Sequence, residues 1–330
     1  MRKGSNPQKK DFKVAKIKNH HVVMVLFVPE LKGYYENLFE VFKLSIQSLY
    51  LTLPLTSSIT IVDNNSCKEV KDFLIRLHKD NKIHGLQLLN ENIGKIDALI
   101  GVARSLREDY ITLSDCDILF RQGWVNATFD IFSKIGKTAS VSPIPTRGLS
   151  YYTFSLQKDI LLKKIKLRFK SFPLNHKDYN LFLNSINWDI SDNKDCKWPV
   201  IYKGEEDVAI MGSDHQVLTL KRSILFKNSP KEPSYVKVGN LSEENYIDFP
   251  IDVSGGYRLS TLKFYAQHMG NKPEAWMYKE LEKLKSNQGK IDLFHLKEDY
   301  YDKKSFNIIG HKLVKRIVKK PFQWISKGML

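Results

Sequence analysis

Asp115-Cys116-Asp117 is the stretch of this sequence best suited to chemistry. Two carboxylates at i and i+2 just past an extended segment project to the same side of the chain. Paired hard oxygen ligands so placed suit Mg2+ or Mn2+ bridging a substrate diphosphate. A solvated acidic turn is the competing reading, and short Asp-x-Asp stretches are often that. The surroundings favour the ligand reading. Tyr110-Ile111-Thr112-Leu113 leads into the motif as a buried strand would, Ile118-Leu119-Phe120 follows it, and Gly123-Trp124 opens a helix. Sulfur ligation is excluded, because Cys67, Cys116 and Cys196 are too few and too scattered for a zinc knuckle or a disulfide framework. So few cysteines suit a reducing cytoplasm.

Such a motif needs elements to hold it. The residues from His21 to Val28 form a continuous β-branched and apolar run, as a strand covered on both faces requires, and Pro29 stops it. Leu38, Val41, Phe42, Ser45, Ile46 and Leu49 then recur at helical spacing. Ser58 to Val62 is a second strand ended by the turn-forming Asp63-Asn64-Asn65-Ser66. Val70, Phe73, Leu74 and Leu77 mark the next helix, and Gly85 to Leu89 a third strand. Asn92-Ile93-Gly94-Lys95 turns into a helix through Ala98, Leu99, Val102 and Leu106, and Tyr110 to Leu113 is the fourth strand. This alternation implies parallel βαβ units with a ligand site at the carboxyl ends of the strands. All the turns just named fall on that edge.

After Gln157 the pattern loosens. Leu161 to Phe172 is amphipathic and basic, and 175–199 is polar with aromatic punctuation, like an inserted subdomain. Regularity returns at Gln216 to Phe226 and at Lys263 to His268.

Taken in order, Val28-Pro29, Val62-Asp63-Asn64-Asn65-Ser66, Asn92-Ile93-Gly94-Lys95, Asp115-Cys116-Asp117, Phe120 and Gly123-Trp124 resemble the family-2 glycosyltransferases with a GT-A fold, over residues 21–126. The resemblance implies an α/β fold with a mixed, mostly parallel central sheet flanked by helices. It implies a sugar transfer, with inversion, from a nucleotide-sugar donor, UDP-sugar favoured, to the hydroxyl of a glycan or lipid-linked glycan. Asp63 would hydrogen-bond the nucleotide base, Pro29 would line the base and ribose pocket, and Asn92 and Lys95 would lie near ribose or phosphates. Asp115 would approach ribose or sugar, and Asp117 would ligate Mn2+ or Mg2+. Further on, Asp248-Phe249-Pro250-Ile251-Asp252, Gly255-Gly256-Tyr257-Arg258-Leu259 and Gln267-His268-Met269-Gly270-Asn271 resemble the family's late acidic residue and histidine more loosely. His268 would complete the metal site. Asp252, or Asp214 in Gly212-Ser213-Asp214-His215, would take the acceptor's proton, with Asp252 slightly favoured. Glu205-Glu206-Asp207 reads as a solvated loop.

Rival readings fit less well. An aspartyl-nucleophile phosphatase wants its Asp-x-Asp after the first strand with Thr or Val to follow, whereas position 119 is leucine and the motif follows the fourth strand. A sugar nucleotidyltransferase wants a Gly-rich, Arg-containing signature where Val28-Pro29-Glu30-Leu31 stands. A basic module that binds nucleic acid or an anionic surface without catalysis accounts for the net charge of +16 but not for the motif, and no nucleic-acid motif is present.

The charge itself is localised. Residues 303–330 carry no acidic residue, and 161–170 is a second basic stretch. Ile309, Leu313, Val314, Ile317 and Val318 share one helical face opposite Lys312, Lys315, Arg316, Lys319 and Lys320, the pattern of an interfacial helix. Pro321 would end that helix and free Phe322, Trp324 and Ile325 to enter a headgroup layer. The expected organisation is therefore a basic extension (1–20), a catalytic domain (21–300) and a basic amphipathic tail (301–330). The catalytic domain divides into a donor half (21–126) and an acceptor half (127–300) with an insertion at about 158–200. No apolar run reaches the roughly 18–20 residues of a bilayer span, and the N-terminus lacks the apolar core of a secretory signal. The expected location is cytoplasmic, peripheral on an anionic membrane face.

Overall fold

Seven consecutive buried side chains from His20 to Leu26 form β1 (His20–Leu26), the axis of the first half of the molecule. The computed structural model describes residues 4–9, 14, 19–147, 154–188, 197–286 and 317–322. From β1 the chain runs through α1 (Leu38–Thr52), β2 (Ser57–Asp63), α2 (Lys68–Lys79), β3 (Gly85–Leu88), α3 (Lys95–Ser105) and β4 (Tyr110–Ser114). Each strand pairs in parallel, β2 on one side of β1 and β4 on the other. The three inter-strand helices expected from the sequence are all present.

The rest of the chain departs from that rhythm. A short β5 (Ile118–Phe120) and α4 (Trp124–Lys134) lead to β6 (Thr138–Ser142), α5 (Phe154–Leu161), β7 (Lys166–Ser171) and α6 (Pro173–Ser185). Then come β8 (Lys197–Lys203), β9 (Glu206–Met211), β10 (Val217–Lys221), α7 (Ile224–Lys227), α8 (Phe249–Val253), β11 (Tyr257–Ser260), β12 (Ala266–His268) and α9 (Ala275–Ser286). Among the described residues ten strands form one sheet in the order β3-β2-β1-β4-β10-β6-β11-β9-β8-β7, and β12 pairs with β5 apart from it.

Two expectations change here. The sheet is mixed but not mostly parallel: four neighbouring pairs are parallel and five antiparallel. The segment at 158–200 is not a separate insertion, because β7 and β8 continue the same sheet to its edge. The basic residues of 161–170 are placed accordingly. Edge strands are commonly protected by lysine against pairing with other chains, and Lys166, Arg168 and Lys170 lie on β7. Asp207 accepts from both Arg168 and Lys170, so it neutralises part of that edge instead of standing in a purely solvated loop.

The core lies on both faces of the sheet. Trp124 is fully buried, its indole N–H donating to Thr52 Oγ1 at 3.2 Å, and the backbone N–H of Phe120 donates to Ser48 Oγ at 2.9 Å. The first fastens the start of α4 to α1, and the second fastens β5, and hence the loop before it, to the same helix. Gly123 opens α4 at φ +81, a conformation only glycine adopts without strain.

Of the tail, only 317–322 is described, and it is helical through Pro321. Phe322 is 2% exposed and packs with the core, and Val318 is buried as well. Pro321 therefore does not end the helix there, and Phe322 is not free to enter a membrane; its ring area is already removed from water. Ile309, Leu313, Val314, Trp324 and Ile325 lie outside the described residues. No helix among the described residues is long and apolar enough to cross a membrane.

Candidate active site

Four parallel strand ends build the floor of the site. After β1, the Val28 N–H donates to Ser66 Oγ at 2.9 Å and the Val28 carbonyl accepts from the Cys67 N–H at 2.8 Å, which ties the half-buried Pro29 turn to the turn after β2. Asp63 ends β2, fully buried. One carboxylate oxygen accepts from the Ser66 N–H at 3.0 Å, while Oδ2 is buried with no hydrogen bond. Burial pushes its carboxyl up, against the opposing pull of the Ser66 bond. A buried acceptor left open can take a donor from a ligand or from water.

Asn92, after β3, is used by the chain itself. Its Oδ1 accepts from Asn64 Nδ2 and from the Gly94 N–H, both at 2.9 Å, closing the turn that starts α3. Lys95, the first residue of that helix, reaches Asp115 after β4: its ammonium lies 2.8 Å from Oδ1 and 2.9 Å from Oδ2. Glu243 stands 3.7 Å away on its other side. Burial alone would depress the Lys95 ammonium, but Asp115 and then Glu243 raise it well above the usual lysine range. Burial lifts the Asp115 carboxyl to about 6 despite Lys95, with the neighbouring Asp117 adding to the rise.

Asp117 has a different partner. The short β5–β12 pairing sets His268 opposite Ile118, and the Met269 N–H donates to the Asp117 carbonyl at 2.8 Å. His268 Nε2 thereby comes within 3.2 Å of Asp117 Oδ2, and its Nδ1 is held by Ser185 Oγ at 2.8 Å. Asp117 Oδ1 is buried and takes no hydrogen bond. Burial would raise the Asp117 carboxyl; His268, by charge and hydrogen bond, brings it below the usual range instead. His268 is raised in turn: burial opposes its charge, but Asp117 first and then Asp115 and Asp214 outweigh that. Burial pushes the Cys116 thiol far up, so it contributes no thiolate.

Asp214 and Asp252 separate. Asp214, half-exposed, accepts from the His215 N–H at 2.6 Å and acts electrostatically on His268. Beside it runs a buried chain of contacts. His215 Nε2 lies 2.7 Å from Asp248 Oδ1, Arg258 Nη1 lies 2.8 Å from Asp248 Oδ2, and Arg258 Nη2 donates to the Ser213 carbonyl at 2.7 Å. Asp252 points elsewhere. It is 3% exposed, and its carboxylate accepts from the Ser155 N–H at 3.2 Å and the Phe154 N–H at 3.4 Å, at the start of α5. Its oxygens satisfy the orphan N–H groups of a helix start.

Metal fit can be tested on these atoms. Among the described residues no three His, Cys, Asp or Glu side chains converge as a ready ligand set. The open Asp117 oxygen beside an imidazole nevertheless suits a divalent cation that takes its remaining ligands from substrate oxygens and water. Asp115 suits it less, since Lys95 holds both of its oxygens.

Glu243, Ser185 and the Asp248–Arg258 pair carry weight in this geometry, and no sequence motif assigned them a role. Glu243 follows no hydrophobic period, and Ser185 is simply the last residue of α6. Their signal is spatial.

Residues 37–191 match the family model described as Glycosyl transferase family 2. No curated protein matches the chain. Solved structures similar to it include GalNAc-T7 with UDP, GalNAc and Mn2+ (TM-score 0.48, 13% identity, 82% of this chain and 48% of that one). Another is the mannosyltransferase PcManGT from Pyrobaculum calidifontis with GDP-Man and Mn2+ (TM-score 0.44, 12% identity, 79% and 59%). A third is S. aureus TarS 1-349 (TM-score 0.45, 10% identity, 82% and 65%). In each case this chain spans less than two thirds of the matched chain's length.

Proposed function

We propose, from the match of residues 37–191 to the Glycosyl transferase family 2 model, that the chain moves a sugar from a nucleotide-sugar donor to a glycan hydroxyl. The observation that carries this reading is a pair of buried, open carboxylate oxygens on one sheet edge: Asp63 Oδ2 after β2 and Asp117 Oδ1 after β4. The first suits the N–H of a nucleobase, and the second a cation on a diphosphate. Uracil N3–H suits that acceptor, and so does guanine N1–H; UDP is favoured on the family resemblance, not on this oxygen.

In this reading Pro29 and Asp63 line the base pocket, with Asn92 shaping the turn beside it. Lys95 and Asp115 face ribose and phosphates. Asp117 and His268 would hold Mn2+ or Mg2+, which when bound neutralises charge growing on the departing diphosphate. Lys95 adds a fixed positive charge to the same oxygens. Asp214 is the carboxylate that takes the proton from the acceptor hydroxyl as that oxygen attacks the anomeric carbon. Its half-exposed position supports this role, as acceptors must reach it from solvent. Attack on the face opposite the leaving group gives inversion. The acceptor class is a glycan or lipid-linked glycan, and the basic tail suits an anionic membrane face.

The test is thermal unfolding with UDP or GDP, with and without Mn2+. A ligand bound only by the native state raises Tm by mass action. A rise that needs both nucleotide and Mn2+ supports the reading; no shift with either nucleotide at millimolar concentration counts against it. Co-sedimentation with anionic liposomes, with and without residues 312–330, tests the membrane face separately.

A further inference from the structure

The residues from Pro233 to Glu243 leave the main body of the sheet and cross over the start of α3. One wall of a cavity of about 520 Å³ is formed by Lys231, Glu232, Pro233 and Tyr235 to Lys237, and the other by α3 residues Asp97, Ile100, Gly101 and Arg104. A strap that spans an open cavity cannot be set by close packing along its length. Something else must fix it.

Asp97 does so. Its carboxylate accepts from the Ser234 N–H at 2.8 Å through Oδ1, from the Ser234 hydroxyl at 2.9 Å and from the Tyr235 N–H at 3.2 Å through Oδ2. Charge-assisted bonds of this kind are about twice as strong as neutral ones. Two residues later the strap meets the helix start: the Lys237 carbonyl accepts from the Lys95 N–H at 2.8 Å. The approach is so close that a Cβ on Gly94, which sits at φ +96, would lie 2.2 Å from the Val236 carbonyl oxygen. On either side of that contact, Tyr235, Asn240 and Leu241 all hold left-handed backbone, at φ 55, 49 and 63. Non-glycine residues adopt that conformation at a cost and keep it only where surrounding bonds impose it. The strap ends on Glu243, which is 3.7 Å from Lys95 and is itself steadied by the Ser242 hydroxyl at 2.8 Å.

We propose that Asp97 is a positioning residue for donor binding: it clamps the 234–243 strap over the start of α3, so that the strap's Lys237 carbonyl and Glu243 together hold Lys95 against Asp115. Asp97 itself touches neither reacting atom. The proposal rests on the donor-binding reading above for its consequence, but not for its geometry. Lys95 is gripped from three directions, by Lys237 at its backbone and by Asp115 and Glu243 at its ammonium, and two of these three come from or depend on the strap. Loosening Asp97 should release both at once. The Asp115 contact would then stay as a mobile surface pair, and a mobile cation binds phosphate oxygens less well than a fixed one.

The experiment uses the full chain with Asp97→Ala, Asp97→Asn, Ser234→Ala and Gly94→Ala, the last reproducing the effect by collision without touching Asp97. Amide hydrogen exchange is read at Ser234, Tyr235 and Lys95, and UDP and GDP affinity with Mn2+ is read by titration calorimetry. Asp97→Ala should speed exchange at all three amides at least tenfold and weaken nucleotide binding by about tenfold, with Tm little changed. Asp97→Asn, which keeps one acceptor oxygen, and Ser234→Ala should give smaller changes in the same order at both readouts. They also serve if the alanine variant fails to fold. Faster exchange at Ser234 and Tyr235 with Lys95 exchange and nucleotide affinity unchanged would overturn the proposal, leaving Asp97 a surface-loop anchor. Weaker binding with unchanged exchange would overturn it too, since Asp97 would then act on the ligand directly. If the native chain binds neither nucleotide, the donor reading fails, and the clamp is decided by the Lys95 amide alone: unchanged exchange there in Asp97→Ala and Asp97→Asn refutes it.

Discussion

From β3 through β4 the sheet is parallel and a crossover helix joins each strand to the next in the chain, whereas from β10 to β7 it is largely antiparallel and β10, β6, β11 and β9 are brought together from distant parts of the chain. The first region places Pro29, Asp63, Asn92 and Lys95 through local units, each a strand end and the turn after it. The second delivers His268, Asp214 and Glu243 by long-range pairing: β12 onto β5, the Asp115 N–H onto the Gln216 carbonyl at 2.8 Å, and the strap onto α3. Local units tolerate a changed site side chain without losing the fold. Residues in the second region divide instead into those that face the site and those that hold the packing, and only the tertiary structure separates Asp214 from Asp252.

That contrast is sharpest at Asp117, where both regions meet. Asp117→Asn should cut metal-dependent transfer by about a thousandfold or more, a loss of several kcal/mol of leaving-group stabilisation, while Tm stays within a few degrees. Retained turnover in this variant, or full wild-type turnover in EDTA, would show that the open carboxylate oxygen serves no metal.

Asp214 and Asp252 should then respond in opposite ways. Asp214→Asn is expected to lower kcat by about a hundredfold or more, with donor binding kept. Asp252→Ala should leave kcat of the folded fraction near wild type and lower stability by about 1–2 kcal/mol, as removal of a helix-start acceptor does. Melting curves and steady-state kinetics on both variants check this, and an exchange of the two outcomes would return the base to Asp252.

Metal binding should depend on pH through His268. Its charged form is favoured above the ordinary histidine range by Asp117 against the opposing effect of burial, and only the neutral ring can ligate a cation. Mn2+ affinity should therefore fall by up to about tenfold for each pH unit below the raised His268 value, with proton release on binding measurable by calorimetry in two buffers. A pH-independent affinity between pH 6 and 8 would remove His268 from the ligand set.

The smallest effect belongs to a histidine in the first region with the opposite bias. His20 is buried between Ser57 Oγ at 2.9 Å and Thr112 Oγ1 at 2.7 Å, and burial, with His21 adding to it, lowers its pKa to about 3. The unfolded chain binds that proton near pH 6.5, so the unfolded state holds more protons between the two values and stability rises with pH there. His20's contribution is complete above about pH 6.5 and is lost as the pH falls toward 3, by at most about 1.4 kcal/mol per unit. His268 runs the other way: its folded value is raised, so its contribution is present below pH 6.5 and lost as pH rises through that value. Denaturant unfolding from pH 7 to 5 should show the acid loss, and His20→Gln should flatten it.

The sequence by itself determined the first region almost completely. Runs rich in β-branched and apolar residues at 21–28, 58–62 and 110–113 read as buried strands, helical periods lie between them, and turn-forming residues stand at each strand end; those signals are local, and parallel βαβ geometry carries them to one edge. It also located Asp63, Lys95, Asp115 and Asp117 as the residues on that edge. It did not determine the partners. That Lys95 occupies Asp115 and leaves Asp117 to His268, that Asp252 serves a helix start, that Asp248 is locked to His215 and Arg258, that Phe322 is buried instead of exposed, that Asp97 binds a strap more than a hundred residues along the chain and that Glu243 of that strap meets Lys95 were decided by tertiary structure. A side chain's type limits what it can bind, but which of several carboxylates it meets depends on strand order and on register, and a single-residue slip in either moves every side chain to the opposite face.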